Sequence, residues 1–126
     1  MVTINEVSDL FAKWNKALQT DDADQVTDCY APNAILLPTV SPKVRHNHAE
    51  IRDYFVHFLL KKPIGRIVEE NIRIFEDVAI NSGLYTFSMV DGESRKDVPA
   101  RFTFVYRKDE KGWRIIEHHS SVLPTT

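Results

Sequence analysis

The stretch that decides the fold is Ala100-Arg101-Phe102-Thr103-Phe104-Val105-Tyr106, followed after a polar turn by Trp113-Arg114-Ile115-Ile116-Glu117-His118-His119-Ser120-Ser121. Side chains of a β-strand alternate between its two faces. Phe102, Phe104 and Tyr106 therefore share one face of the first strand, and Arg101, Thr103 and Val105 the other. Both faces carry bulk. One face is expected to meet the domain's own core and the other a partner chain. Phe102, Phe104 and Tyr106, with Trp113, are assigned to the partner-facing side. Arg101 is turned toward the interior, where an unpaired guanidinium would be costly and would need a carboxylate or a wet pocket.

The signals on either side extend this to a whole domain. From Ile67 onward, four strand-like runs (Ile67 to Phe75, Ala79 to Val90, Val98 to Lys108 and Trp113 to Leu123) are separated by Glu76-Asp77, Asp91-Gly92 and Asp109-Glu110-Lys111-Gly112. Such short polar turns predict antiparallel neighbours. The first half is helical. Thr3-Ile4-Asn5-Glu6 is a capping box, and Ile4, Val7, Leu10, Phe11, Trp14 and Leu18 follow at helical spacing. Asp21-Asp22 caps a short helix carrying a buried Cys29, which Ala31-Pro32 ends. Ala34 to Leu37 is a brief strand. Asn47 and Glu50 open a third helix with Ile51, Tyr54, Phe55, Phe58 and Leu59 as its stripe, closed by Pro63 and Gly65. Helices followed by a strand meander predict an α+β fold with helices packed on one curved sheet.

Length and composition narrow the function. The chain has 126 residues, 43% of them hydrophobic, and a formal net charge of −2. This is one domain, residues 1–126, with enough apolar content for a core and no basic footprint for nucleic acid or an anionic membrane. No apolar run reaches the roughly 20 residues of a membrane span. A single cysteine excludes an internal disulfide and fits a reducing, cytoplasmic setting. There is no phosphate loop, nucleophile elbow or nicotinamide or flavin fingerprint, so no cofactor is expected. His118 and His119 are strand neighbours that point apart, and His46 and His48 lack one-turn helical spacing, so no metal is expected. Arg101, His118 and Tyr85 could instead surround a cavity suited to a small polar or anionic ligand, with Arg45 as a further rim candidate.

Several motifs in order carry a resemblance: Trp14…Ala17-Leu18…Asp21, Tyr30-Ala31-Pro32-Asn33-Ala34, Leu37-Pro38-Thr39-Val40-Ser41, Ile51-Arg52-Asp53-Tyr54-Phe55, Gly83-Leu84-Tyr85-Thr86-Phe87 and Trp113…His118-His119-Ser120-Ser121. Together they resemble the association (hub) domain of calcium/calmodulin-dependent protein kinase II, within the nuclear transport factor 2-like superfamily with its SnoaL-like relatives. The resemblance implies a cone-shaped α+β fold with a cavity between helices and a strongly curved antiparallel sheet. It also implies homo-oligomers, a dimer or a larger even-numbered ring, built partly through the sheet's outer face. Hub domains line their cavity with arginines, and the matching positions here are Tyr85, Thr103 and Ser120. Enzymes of the superfamily pair a cavity carboxylate with a histidine, but Glu117 points away from His118.

Overall fold

The computed structural model describes residues 1–125. The elements run α1 (Ile4–Leu18), α2 (Ala23–Thr27), β1 (Tyr30–Leu37), α3 (His48–Phe58) with a 3-10 turn (Leu59–Lys61), then β2 (Ile64–Phe75), β3 (Val78–Asp91), β4 (Ser94–Asp109) and β5 (Gly112–Val122). The fold is α+β, with the helices against one face of a curved, unclosed five-stranded sheet of order β1-β5-β4-β3-β2. The sheet is mixed and not wholly antiparallel. β2 to β5 form an antiparallel meander, but β1 pairs with β5 in parallel, Leu36 opposite His118. Crossing α3 and returning through three hairpins brings β5 back alongside β1 in the same direction.

Local chemistry sets the element ends. The Thr3 side chain accepts the Glu6 amide while the Glu6 carboxylate accepts the Thr3 amide, so the capping box forms as the sequence predicts. Asp22 caps α2 and Asn47 caps α3. β1 begins at Tyr30, four residues before the predicted start. It tolerates Pro32 because it is an edge strand with an irregularity between Tyr30 and Ile35.

Two contacts fix how α1 and the meander sit. The Asn15 side chain pairs with the Gly65 backbone as a strand would, donating to its carbonyl at 2.9 Å and accepting its amide at 2.8 Å. A register shift in β2 between Ile67 and Glu69 drives the Glu69 carbonyl toward Gly83, where a Cβ would lie 2.1 Å from that oxygen. Only glycine fits there without separating β2 from β3.

The core is aromatic. Phe11 and Trp14 of α1, Phe55 and Phe58 of α3, and Tyr85, Phe87, Phe102, Phe104 and Tyr106 of the sheet are all buried. This reverses one expectation. Phe102, Phe104 and Tyr106 face the chain's own helices and are not the partner-facing row, while Arg101 and Thr103 lie on the other face and do not line the interior. Register supplies the reason: Phe104 pairs with His118 and Phe102 with Ser120, whereas Arg101 pairs with Ser121 and Thr103 with His119. Three aromatic rings offer far more apolar area than Arg, Thr and Val, so the aromatic row takes the core side. Trp113, also assigned to the partner side, is half-buried at the far end of the β4–β5 hairpin beside Met1 and Val2.

Candidate functional site

A line of hydrogen-bonded side chains runs through this core. The Trp14 indole donates to Tyr30 Oη at 3.1 Å. Tyr30 Oη lies 2.8 Å from His118 Nδ1, and His118 Nε2 lies 3.2 Å from Tyr85 Oη. Tyr85 donates to Ser120 Oγ at 2.5 Å, and Ser120 bonds to Thr39 Oγ1. α1, the start of β1, β3, β5 and the loop after β1 each contribute to the line.

Proton accounting orients it. An indole N–H can only donate, so Tyr30 Oη accepts from Trp14 and its own proton goes to His118 Nδ1. The neutral ring therefore carries its proton on Nε2 and donates to Tyr85, whose proton goes on to Ser120. The opposite tautomer would leave the buried Tyr30 proton without an acceptor. Burial, reinforced by neighbouring His119, pushes the His118 pKa down to about 3, so the ring is neutral in the folded chain. Burial likewise raises the Tyr30 and Tyr85 hydroxyls well above their ordinary range, leaving both protonated.

The line ends at a small cavity of about 10 Å3, which holds on the order of one water. Tyr85, His118 and Ser120 line it with Thr39, under Trp14 and Phe55. The structure thus brings together three of the five sequence-derived cavity residues. Arg101 and Thr103 are elsewhere; Arg101 is exposed and is neither a cavity cation nor part of a buried ion pair. Glu117 is exposed on the far face, and no carboxylate lines the cavity. Tyr30 and Thr39 were not among the predicted site residues. Tyr30 lay inside a stretch read as a helix end, and a loop threonine has no periodicity to mark it.

The loop after β1 roofs the site. Tyr54 Oη donates to the Thr39 carbonyl at 3.0 Å, while the Thr39 hydroxyl bonds Ser120. The next residue, Val40, sits at φ 57, a left-handed conformation uncommon for a β-branched side chain. Outside this roof, Arg45 lies over the Tyr54 ring and donates through Nη1 to the Glu50 carbonyl and Asp53. Cys29, expected on a helix, is half-buried in the turn after α2. Burial raises its thiol to about 11, the reverse of an activated cysteine. Among the described residues no group of three or more His, Cys, Asp and Glu side chains could hold a metal ion, and no helix is long and apolar enough to cross a membrane.

A family profile described as the calcium/calmodulin dependent protein kinase II association domain matches residues 3–124. The chain belongs to this association-domain family. Among solved structures, a Xanthomonas campestris protein provisionally described as such an association domain is 44% identical, with a TM-score of 0.96 over 100% of this chain and 91% of its own. A provisionally described aromatic ring hydroxylase from Novosphingobium aromaticivorans (22% identity, TM-score 0.82, 98% and 93% of the two chains) shares the fold. So does a provisionally described dehydratase of the nuclear transport factor 2-like family from Streptomyces avermitilis (14%, TM-score 0.81, 97% and 96%). No curated protein matches the chain. The association domain thus has the α+β architecture of the nuclear transport factor 2-like fold, and its family is one of oligomerisation-type domains.

Proposed function

We propose that this association domain works by self-association, through the sheet face that its own helices leave uncovered. The observation that carries the reading is the pattern on that face. Arg73, Ile80, Val105 and Glu117 form one row across β2 to β5, and Glu69, Leu84, Arg101 and Ser121 another. Ile80, Leu84 and Val105 are half-exposed apolar groups on β3 and β4, with Ser82 and Thr103 between them, the exposed Arg101 beside Leu84, and further exposed charges on β2 and β5. Interfaces mix apolar and polar groups in this way. The charges also suit a second copy. A two-fold axis along the strands, between β3 and β4, sets Arg73 of one protomer opposite the partner's Glu117, a self-complementary pairing.

Native mass spectrometry tests this. The unaltered chain should run as a dimer or a larger even-numbered assembly. Val105→Glu, which places a charge at the centre of the face, should give folded monomers with a circular dichroism spectrum unchanged. An unaltered chain that stays monomeric at micromolar concentration overturns the reading, as does a Val105→Glu assembly of unchanged size.

The cavity reads as part of the core: at about 10 Å3 it has room for about one water, far below the size of a small-molecule pocket, and Tyr85, His118, Ser120 and Thr39 bond one another.

A further inference from the structure

The roof of the cavity is one layer of residues thick. Residues 38–44 leave β1 after Leu37, cross over the cavity and rejoin the fold at Arg45. Beneath them is the cavity of about 10 Å3. Outside are two open grooves, one of about 320 Å3 toward β5 and one of about 170 Å3 toward α3. Pro38, Thr39 and Ser120 belong both to the cavity wall and to the first groove, and Val40 and Ser41 line both grooves. We propose that residues 38–44 are a hinged strap that lifts from the cavity as a unit while the sheet stays folded, opening the hydroxyl line to water. The inference goes beyond self-association and does not depend on it.

Both ends of the strap are pinned. Leu37 pairs with His119 of β5, and Leu36 and Arg45 exchange two backbone hydrogen bonds of 2.9 and 2.8 Å. Arg45 is itself tied to α3 through the Glu50 carbonyl and Asp53. Lifting therefore breaks no strand pairing, and the loop stays closed at its base. Between these ends the hold is light. Among the described residues two hydrogen bonds tie the strap to the rest of the fold. Tyr54 Oη donates to the Thr39 carbonyl at 3.0 Å, and the Thr39 and Ser120 hydroxyls bond each other. Water can replace both. Only Pro38 and Thr39 of the strap are buried, so lifting exposes little apolar area.

Two local features favour motion as a unit over loosening residue by residue. Pro38 and Pro42 each fix a backbone angle, which stiffens the segment. Val40 sits at φ 57, where a β-branched side chain is strained. The contacts of Thr39 hold it there, and once they part Val40 relaxes to an extended conformation. The closed strap is thus held by its tethers and opposed by its own backbone.

The test places a thiol under the strap. In a full chain carrying Cys29→Ala and Ser120→Cys, methyl methanethiosulfonate should label the new thiol, read as a mass increase. The rate should be almost independent of urea below the unfolding transition. Tyr54→Phe keeps the ring but leaves the Thr39 carbonyl without its donor, and should speed labelling roughly fivefold. Val40→Asn, which accepts the left-handed conformation more readily, should slow it severalfold. The Leu36 amide, bonded to the Arg45 carbonyl, should stay protected from deuterium exchange on the labelling timescale. Labelling that follows the urea dependence of global unfolding, measured by circular dichroism, overturns the strap. So does either substitution failing to move the rate in its stated direction. Leu36 exchange as fast as labelling also overturns it, because β1 would then have left with the strap. Should sulfur at position 120 prevent folding, Thr39→Cys in the Cys29→Ala chain carries the same reporter on the strap itself, with the same outcomes. Native mass spectra of the same samples report assembly separately, so failure here is distinguishable from failure of the self-association reading.

Discussion

Phe104→Asp is expected to leave no cooperatively folded protein. Phe104 has no exposed surface; its ring stacks on His118 with centroids 4.0 Å apart and meets Trp14 at 5.3 Å. Removing the ring alone, as Phe104→Ala, costs about 3–5 kcal/mol of lost burial and cavity formation. That compares with a total stability of about 5–15 kcal/mol for a domain. A carboxylate in its place must also leave water, with no cation among the buried side chains to receive it. Circular dichroism and urea unfolding check both variants: the alanine chain should unfold at a clearly lower urea midpoint, and the aspartate chain should show no transition. A folded, monomeric Phe104→Asp would instead put the aromatic row on the partner-facing side and reverse the placement of the whole sheet.

The second large effect is acid sensitivity centred on His118. Its folded pKa lies near 3, below the ordinary 6.5. As pH falls below 6.5 the unfolded chain takes up a proton that the folded chain refuses until about pH 3. The unfolded state gains by this. His118's contribution is therefore complete above about pH 6.5 and is lost progressively as pH falls toward 3. At about 1.4 kcal/mol per pH unit, the loss reaches on the order of 3 kcal/mol by pH 4. His118→Phe removes this dependence, though it strands the Tyr30 and Tyr85 hydroxyls and should cost about 1–3 kcal/mol at neutral pH. Urea midpoints at pH 7, 6, 5 and 4 should therefore converge for the two proteins as pH falls. The exposed carboxylates whose pKa values are lowered, Glu50, Asp53 and Asp109, also weaken the fold in acid, but equally in both chains. Parallel curves would mean that His118 is not held neutral in the core.

How far the sequence carried depends on whether the information was local. Caps at Thr3 and Asn47, the apolar stripes of α1 and α3, and the turns of the meander are short-range chemistry and were readable. So was the alternation of Phe102, Phe104 and Tyr106 against Arg101, Thr103 and Val105. Alternation defines two faces but does not say which one meets the helices; that follows only from cross-strand register, which puts His118 and Ser120 behind the aromatic row. Three of the five cavity residues, Tyr85, His118 and Ser120, share that inner face. Arg101, expected at the cavity, is on the other face because there its guanidinium stays in water and needs no partner. The parallel pairing of β1, and with it Tyr30 and Thr39, was not readable: a short edge strand carrying Pro32 contains nothing that names a partner so far along the chain.

That pairing has a kinetic side. The meander from β2 to β5 grows through tight turns, each closing a small loop. The cavity, in contrast, is sealed by contacts such as Thr39 to Ser120, 81 residues apart, and Tyr30 to His118, 88 residues apart. The chain entropy lost in joining such distant segments is recovered only once β1 docks. β1 is also an edge strand, paired along its length only with β5 and on its other side held by the single bridge between Leu36 and Arg45. It should therefore join last and open first, and its amides should exchange with deuterium faster than those of β3 and β4. The sheet face proposed for self-association depends mainly on the meander, whereas the ordered hydroxyl line depends on the final docking event. The proposed assembly and the formation of the site should thus be separable in time.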